Sequence, residues 1–288
     1  MNRSHHVSNQ NTFLLGGDLP IRRLGYGAMR LAANGFSGPA RDAETSREVL
    51  RQAIAAGVDH IDTADFYVSD DGALSANTLI REALHPYRDD LVIATKVGPQ
   101  RTPGGGVEMT TDPSALRQMV ETNLENLGLE RLDLVYLRLG APEESAAARF
   151  EALAAMRDEG LIRHLGLSNA GTAHLHEALT VAPVAAVQNH FVATQRDDLE
   201  VLAACEEVGI AFVPFFPLGG GFSDITDDRL TTVAARHEAT TAQIALAWLL
   251  ARSPVTLAIP GTGSPAHLAE NMAADAITLT AEDLADLA

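Results

Sequence analysis

The 288-residue sequence contains one cysteine, one tryptophan and one lysine. A lone cysteine, Cys205, cannot form an intrachain disulfide, which excludes a disulfide-stabilised scaffold and is typical of a reducing compartment. The first residues, MNRSHHVSNQNT, lack the apolar run that a secretory signal needs. We therefore expect a cytoplasmic protein whose residues 1–10 form a flexible tail.

Positive charge and long apolar runs are also scarce. The sequence has 21 Lys plus Arg against 38 Asp plus Glu, so its formal net charge is -17, which disfavours nucleic acid as a partner. The apolar run at residues 244–250 is far shorter than the roughly 18 residues of a membrane span, so we expect no membrane association. The 46% of hydrophobic residues nevertheless suffices for a sizeable core and excludes disorder for most of the chain.

The basic residues are arginines except for Lys96. An ammonium group is compact and can shift its pKa, whereas a guanidinium group stays charged. A single lysine inside an apolar run is therefore a candidate for chemistry. The alternative is that the sequence retains a single lysine by chance.

Apolar segments of strand length alternate with segments of helical periodicity. The strand candidates lack a clear in–out alternation, as expected for parallel strands that are buried on both faces. They are Leu24–Met29, His60–Ala64, Leu91–Val97, Leu132–Leu137, Ile162–Leu167, Val184–Gln188, Ile210–Pro214 and Val255–Ile259. The helical candidates are Ala43–Ala56, Ser75–Leu84, Pro113–Leu127, Ala146–Glu159, Thr172–Leu179, Asp197–Val208 and Thr241–Leu250.

This alternation predicts a closed (β/α)8 TIM barrel that residues 1–288 form as a single domain. No Gly/Ser/Pro linker interrupts it, and the G-x-G-x-x-G fingerprint of an open Rossmann sheet is missing. Asn11–Arg23 predicts a β-hairpin that plugs the floor of the barrel, because Gly16-Gly17-Asp18 separates two short apolar runs. Asp227–His237 and Ala281–Leu287 predict extra helices.

In a barrel of this kind, catalytic groups lie at the carboxyl ends of the strands. The residues at or just after the carboxyl ends of the predicted strands are Gly25, Tyr26, Gly27, Met29, Asp62, Tyr67, Lys96, Arg138, Ser168, Asn169, Gln188, Phe215, Phe216, Gly261 and Thr262. Among them, Asp62, Tyr67 and Lys96 make chemical sense together. A phenol with a pKa near 10 becomes a usable acid if an ammonium lies beside it, and Asp62 would orient that ammonium. Taken singly, each also fits an ordinary structural role in a turn, on the rim or at a strand end.

Several motifs give this sequence a specific resemblance. Asp62-Thr63-Ala64-Asp65-Phe66-Tyr67 resembles the D-T-A-x-x-Y signature of the aldo-keto reductases, and Ala94-Thr95-Lys96 resembles their lysine motif. Further similarity lies in the strings GLIR and GLSN around the fifth predicted strand, PLGG after the seventh, and IPGT after the eighth. The resemblance extends from about Leu24 to Asn271.

The resemblance implies a role for each matching residue. It implies that Tyr67 is the general acid, that Lys96 and Asp62 tune it, and that a nicotinamide cofactor lies across the barrel mouth. It further implies that Ser168, Asn169 and Gln188 hold the nicotinamide carboxamide, and that Phe215 stacks on the ring. The alternative role for Phe215 is that of an ordinary core phenylalanine. The remaining cofactor-binding residues that it implies are Gly27, Met29, Leu218, Gly219, Gly220, Gly261, Thr262, Ser264, His267, Glu270 and Asn271.

For two of these regions, elementary chemistry supports the implied role. Backbone N–H groups at residues 218–221 would approach the pyrophosphate, which glycine permits. A helix that begins after Ser264 would offer its amino terminus to the 2'-phosphate of NADPH.

The sequence departs from the family pattern at two places. Gly261 and His267 stand where many members have basic residues around the 2'-phosphate, so NADPH is the expected cofactor and NADH remains open. Arg138 stands where the family usually has a catalytic histidine. Arginine here, together with the strings GYGAM and VPFFPLGG, is similar to the pyridoxal reductase-like branch of the family. Arg138 would polarise the substrate carbonyl or recognise an anion.

We therefore expect an NADP-dependent oxidoreductase that reduces an aldehyde or ketone, with a pyridoxal-like aldehyde as the leading substrate. A ketoreductase of secondary metabolism is one alternative. A nicotinamide-binding regulatory protein with little turnover is another, although binding alone does not require a tuned acid. A metal-dependent barrel hydrolase lacks a ligand set, so no metal is expected. The sequence does not predict the oligomeric state.

Overall fold

The computed structural model describes residues 11–35, 38–102, 106–140, 145–195, 198–220, 225 and 227–288. Its strands are β1 (Thr12–Leu15), β2 (Leu19–Arg22), β3 (Tyr26–Gly27), β4 (His60–Asp62), β5 (Val92–Val97), β6 (Pro99–Arg101), β7 (Val107–Met109), β8 (Leu132–Arg138), β9 (Ile162–Ser168), β10 (Ala186–His190) and β11 (Ala211–Phe215). Its helices are α1 (Met29–Ala32), α2 (Ala43–Ala55), α3 (Ala76–Leu84), α4 (Pro113–Leu127), α5 (Ala147–Asp158), α6 (Thr172–Val181), α7 (Leu199–Val208), α8 (Asp228–Arg236), α9 (Thr241–Arg252), α10 (Pro265–Ala273) and α11 (Ala281–Asp286).

Seven parallel strands form one curled sheet in the order β11-β10-β9-β8-β5-β4-β3. The predicted eighth strand, at residues 255–259, makes isolated parallel bridges instead of a ladder: Thr256 pairs with Phe212 on β11, and Ala258 pairs with Leu24 just before β3. Backbone hydrogen bonds accompany both bridges, including Gly25 N–H to the Ala258 carbonyl at 2.8 Å. The segment therefore closes the sheet on itself, which confirms the (β/α)8 barrel.

The antiparallel pair β1–β2 plugs the amino-terminal end of the barrel, as predicted. Leu15, Leu19 and Ile21 are buried in one cluster with the side chains that fill the barrel interior, such as Val92 and Leu134. Filling by bulky apolar side chains is typical of this fold, whose interior is a packed core rather than a pore.

The helices surround the barrel and bury the larger apolar cluster between themselves and the sheet. Local sequence explains where they begin. The Asp42 carboxylate accepts from Thr45 N–H at the start of α2, and Asp112 with Pro113 starts α4. Thr240 and Gln243 form a capping box at the start of α9.

The predicted elements match the structure with shifts of a few residues at their ends. Only Tyr26 and Gly27 of the predicted first strand form a ladder, because α1 begins at Met29. Asp197, the predicted start of α7, lies outside the described residues, as do residues 1–10. The predictions missed the hairpin β6–β7, which follows β5 directly and pairs residues 99–101 with 107–109.

Candidate active site

The parallel register brings the carboxyl ends of the strands to one rim of the barrel. Asp62 ends β4, and Lys96 lies next to the end of the neighbouring β5. Arg138, the last residue of β8, pairs with Ser168, which pairs in turn with Gln188 on β10. The polar residues predicted from strand ends therefore meet at one rim, as this fold requires.

Asp62, Tyr67 and Lys96 form a buried group that we call the catalytic cluster. Lys96 Nζ lies 2.5 Å from Asp62 Oδ1 and donates to the Thr63 carbonyl at 2.9 Å. The ammonium also lies 5.0 Å from the centroid of the Tyr67 ring and hydrogen-bonds with the phenol. At most 7% of each of the three residues is exposed, so their interactions are shielded from water.

Burial and charge act in opposite directions on this cluster. Burial raises the pKa of Tyr67 above its ordinary value and outweighs the Lys96 ammonium, which lowers it. Burial lowers the pKa of Lys96, but Asp62 and Tyr67 together outweigh burial and raise it. The phenol therefore keeps its proton and the lysine its charge at neutral pH. Lys96 does lower the pKa of Tyr67, as the sequence predicted, but burial has the larger effect and the net pKa is raised.

Arg138 places a positive charge beside the catalytic cluster. Its Nη1 donates to Ser168 Oγ at 3.0 Å, and its Cζ lies 4.9 Å from the centroid of the Phe215 ring. Burial lowers the pKa of the guanidinium, while Tyr67 and Asp62 raise it, and the net pKa is lower than usual. An arginine nevertheless remains charged throughout the physiological pH range.

A cavity of about 310 Å³ opens at this rim. The predicted site residues that line it are Gly27, Met29, Asp62, Tyr67, Phe215, Leu218, Gly220, Gly261, Thr262, His267, Glu270 and Asn271. The predicted residues that do not line it are Lys96, Arg138, Ser168, Asn169, Gln188, Gly219 and Ser264. Gly221 lies outside the described residues.

Gln188 and Asn169 have partners within the protein. Gln188 is fully buried, and its Nε2 donates to Asp62 Oδ2 at 2.7 Å. Its Oε1 is buried without a hydrogen-bond partner among the described residues. A buried carbonyl oxygen left unpaired costs roughly 1–3 kcal/mol, and this one belongs to a residue outside the cavity lining. Asn169 has a positive φ of 58°, and its Nδ2 donates to the Leu139 carbonyl at 2.9 Å.

The wall that contains the amino end of α10 is built mainly from backbone. Gly27 and Gly261 approach so closely that a Cβ on Gly261 would lie 2.6 Å from the Gly27 carbonyl, which only glycine permits. Thr262 Oγ1 accepts from Ser264 N–H at 3.0 Å, and Ser264 Oγ accepts from His267 N–H to cap α10. We call residues 261–271 the α10 wall.

Two arginines near this wall escaped the sequence analysis. Arg30 lines the cavity, and its Nη2 donates to the Gly220 carbonyl at 2.7 Å. Arg41 Nη2 donates to the Gly263 carbonyl at 3.0 Å. Arg30 directly follows the GYGAM string, so its position was a usable signal, whereas nothing in the sequence places Arg41 beside a loop more than 200 residues away.

Within the described residues, no group of three or more His, Cys, Asp or Glu side chains is arranged to hold a metal ion. The same part of the chain contains no helix that is long and apolar enough to cross a membrane.

Comparison with known proteins agrees with this geometry. The model of the aldo/keto reductase family matches residues 23–288. The chain belongs to the aldo/keto reductase family. This confirms the predicted resemblance, the enzyme class and NADP(H) as the cofactor of the class.

Curated relatives and solved structures extend this assignment to individual proteins. The chain is 47% identical over 285 residues to pyridoxine 4-dehydrogenase of Escherichia coli, covering 97% of this chain and 98% of that protein. It is 40% identical to an uncharacterised oxidoreductase of Schizosaccharomyces pombe, covering 94% and 87%. The crystal structure of a thermostable aldo-keto reductase with the inhibitor epalrestat has a TM-score of 0.82 at 32% identity, covering 96% and 98%. An aldo-keto reductase of Klebsiella pneumoniae in complex with NADPH has a TM-score of 0.78 at 27% identity, covering 96% and 93%.

Proposed function

We propose that this chain transfers a hydride between NADP(H) and the carbonyl carbon of a small aldehyde, with Tyr67 as the proton donor. The observation that carries the proposal is the buried contact between the Tyr67 ring and the Lys96 ammonium beside the cavity. Asp62 Oδ1 holds that ammonium at a distance of 2.5 Å from Lys96 Nζ. A protein that only binds a nicotinamide needs no acid supported in this way. We also propose that the matched span works as a single catalytic domain and that it acts in the cytoplasm.

The residues around the cavity fit a nicotinamide dinucleotide. The family resemblance assigns the carboxamide to Ser168, Asn169 and Gln188. These residues lie side by side, since Ser168 pairs with Gln188 and Asn169 N–H donates to the Gln188 carbonyl at 3.0 Å. Gly27 and Gly261 keep the backbone free of side chains at this wall, and the amino end of α10 adds the field that favours phosphate oxygens at a helix amino terminus. When bound, the nicotinamide supplies or accepts the hydride.

The chain's own residues handle the proton. In the direction of reduction, Tyr67 donates its phenolic proton to the carbonyl oxygen, and the nearby ammonium of Lys96 stabilises the resulting phenolate. Asp62 and the Thr63 carbonyl fix that ammonium by hydrogen bonds of 2.5 and 2.9 Å. In the direction of oxidation, the phenolate takes the proton from the alcohol. Arg138 adds a second positive charge without exchanging protons.

The substrate that we propose is an aromatic aldehyde of the pyridoxal type. The relative at 47% identity acts on pyridoxine by its name, and Arg138 offers a guanidinium next to the Phe215 ring. A guanidinium at that position would pair with the phenolate oxygen of such a substrate.

Initial rates of NADPH oxidation with a panel of aldehydes test this proposal. We expect pyridoxal to give the highest kcat/KM, neutral aromatic aldehydes to follow, and a chelator to leave every rate unchanged. A rate for pyridoxal below those of simple neutral aldehydes would refute the substrate class. Absence of NADPH oxidation with every carbonyl would refute the enzymatic proposal, provided that quenching of protein fluorescence shows NADPH to be bound.

A further inference from the structure

The hairpin β6–β7 brings a side chain to the loop that carries Tyr67. The hairpin starts two residues after β5 ends, so it continues the strand on which Lys96 lies. Arg101, the last residue of β6, extends from it toward the loop after β4. Neither the motifs nor the strand-end rule points to this residue, because the hairpin itself was not predicted.

Arg101 contacts the backbone on both sides of Tyr67. Its Nη2 donates to the Val68 carbonyl at 2.6 Å, and its Nε donates to the Phe66 carbonyl at 3.4 Å. Its Nη1 also lies 3.8 Å from Asp70 Oδ1. Only 18% of the Arg101 side chain is exposed, so these bonds compete little with water.

Other backbone contacts among the described residues also hold the turn of Tyr67, including a bridge between Val68 and Ser75. Tyr67 N–H donates to the Ala64 carbonyl at 3.2 Å, and the Tyr67 carbonyl accepts from Ala76 N–H at 2.9 Å. Val68 N–H donates back to the Phe66 carbonyl at 3.0 Å, which makes Tyr67 the central residue of a tight turn. The two carbonyls that flank this turn are the ones that Arg101 holds.

From this geometry we propose that Arg101 is a positioning residue for the acid Tyr67, a role that rests on the proposed function. The planar fork of one guanidinium spans both flanking carbonyls, which a single ammonium cannot do with the same geometry. Because the fork extends from the hairpin that directly follows the strand of Lys96, it fixes the turn of Tyr67 relative to its charged partner. Arg101 itself does not line the cavity.

The test compares Arg101→Gln and Arg101→Lys with the control Arg81→Gln. Arg81 also donates to a backbone carbonyl, that of Glu125 at 3.0 Å, but it lies on α3 away from the cavity. We expect Arg101→Gln to lower kcat about 10- to 100-fold, since misplacing a reacting group by about 1 Å costs on that order. The Kd of NADPH, measured by fluorescence, should change less than twofold. Arg101→Lys should keep part of the activity, and Arg81→Gln should match the parent.

Two readouts separate positioning from a general loss of structure. Added guanidinium ion should restore part of the kcat of Arg101→Ala, while it should not restore Tyr67→Phe. In a Tyr67→Phe background, Arg101→Gln should cause no further loss, because both changes remove the same step. An unchanged kcat per folded Arg101→Gln enzyme, or a full additional loss in the Tyr67→Phe background, would overturn the inference. If Tyr67→Phe alone is fully active, the proposed function fails instead.

Discussion

The catalytic cluster and the α10 wall are built by different means, although both border one cavity. In the cluster, side chains from two strands and one loop are buried and hydrogen-bonded to each other. The α10 wall consists mainly of glycine backbone, two hydroxyls and a helix terminus, and the charged side chain of Arg41 reaches it from another segment. Proton transfer demands fixed side-chain atoms, whereas an anion is satisfied by any converging N–H groups.

This difference predicts that changes in the cluster affect kcat and changes in the α10 wall affect cofactor affinity. With a net charge of -17, the protein as a whole repels a phosphate-rich cofactor. The positive groups near the cavity therefore matter more for the affinity of the cofactor. Substitutions on the two sides can therefore confirm or break the division.

Tyr67→Phe should have the largest effect. It removes the proton donor and little volume, so kcat for carbonyl reduction should fall on the order of 10²-fold or more while the Kd of NADPH stays within twofold. Steady-state rates and fluorescence titration measure the two quantities. Tyr87→Phe is the matched control, because the Tyr87 hydroxyl donates to the Leu127 carbonyl outside the cavity. Equal activity of the parent and Tyr67→Phe would remove Tyr67 from the mechanism.

Lys96→Arg should be the next most severe change. The charge is kept, but the bulkier guanidinium has to fit a site that is 2% exposed and 2.5 Å from Asp62. We expect kcat to fall on the order of 10²-fold. The reverse exchange, Arg88→Lys in the exposed pair with Asp90, should leave the rates unchanged. An active Lys96→Arg enzyme would show that the single lysine of this sequence is a coincidence.

The pH dependence follows from the same cluster. Because the net pKa of Tyr67 is raised, the phenol is protonated across neutral pH, and kcat for reduction should be flat there. It should fall only when the pH rises through the raised pKa of Tyr67, since reduction needs the protonated form. In the direction of oxidation, which needs the phenolate, kcat should instead rise with pH. A bell-shaped profile centred near pH 7 in the reductive direction would contradict this assignment of the acid.

Arg138 tests whether the cluster side also selects the substrate. If Arg138 pairs with a phenolate, Arg138→Leu should raise KM and lower kcat/KM about tenfold for pyridoxal, with less effect on neutral aldehydes. If it supports only Tyr67 and the carbonyl, the loss should appear in kcat and be similar for all substrates. Arg138→His separates these further, because a neutral imidazole still polarises a carbonyl but holds an anion poorly. Full activity of Arg138→Leu on every aldehyde would assign it a structural role.

What the sequence predicts well is what depends on local pattern and strand order. The barrel, the β1–β2 hairpin and the meeting of Asp62, Tyr67 and Lys96 follow from apolar segments and from the residues after them. The eighth strand shows the limit, because bridges of Thr256 and Ala258 to both neighbours close the barrel without a regular ladder. Periodicity finds the apolar segment but not its pairing.

The residues near the site that could not be predicted from the sequence have one property in common. Arg30, Arg41 and Arg101 act through long side chains that reach backbone carbonyls of other loops, at Gly220, Gly263 and Val68. Arg30 directly follows the GYGAM string, but Arg41 and Arg101 have no periodic or motif signal, because the acceptor of each contact is a carbonyl that every residue has. The net pKa of Tyr67 was likewise beyond the sequence, since it depends on how deeply the phenol is buried.

The smallest effect is expected at the α10 wall, from His267→Ala. His267 lines the cavity from the first turn of α10, whose amino terminus provides much of the field that favours phosphate. Its removal should weaken NADPH binding only about two- to fivefold, leave NADH binding unchanged, and leave kcat unchanged. His267→Arg should strengthen NADPH binding by a similar factor, and the gain should shrink at high salt, where exposed charges are screened.

Fluorescence titration of both cofactors at low and high salt decides this last point. A loss for NADPH alone shows that the imidazole faces the 2'-phosphate, because NADH lacks that group. An equal loss for both cofactors would place His267 elsewhere on the dinucleotide. A large loss of kcat would break the division between the two sides of the cavity, because a side chain of the α10 wall would then contribute to the transition state and not only to binding.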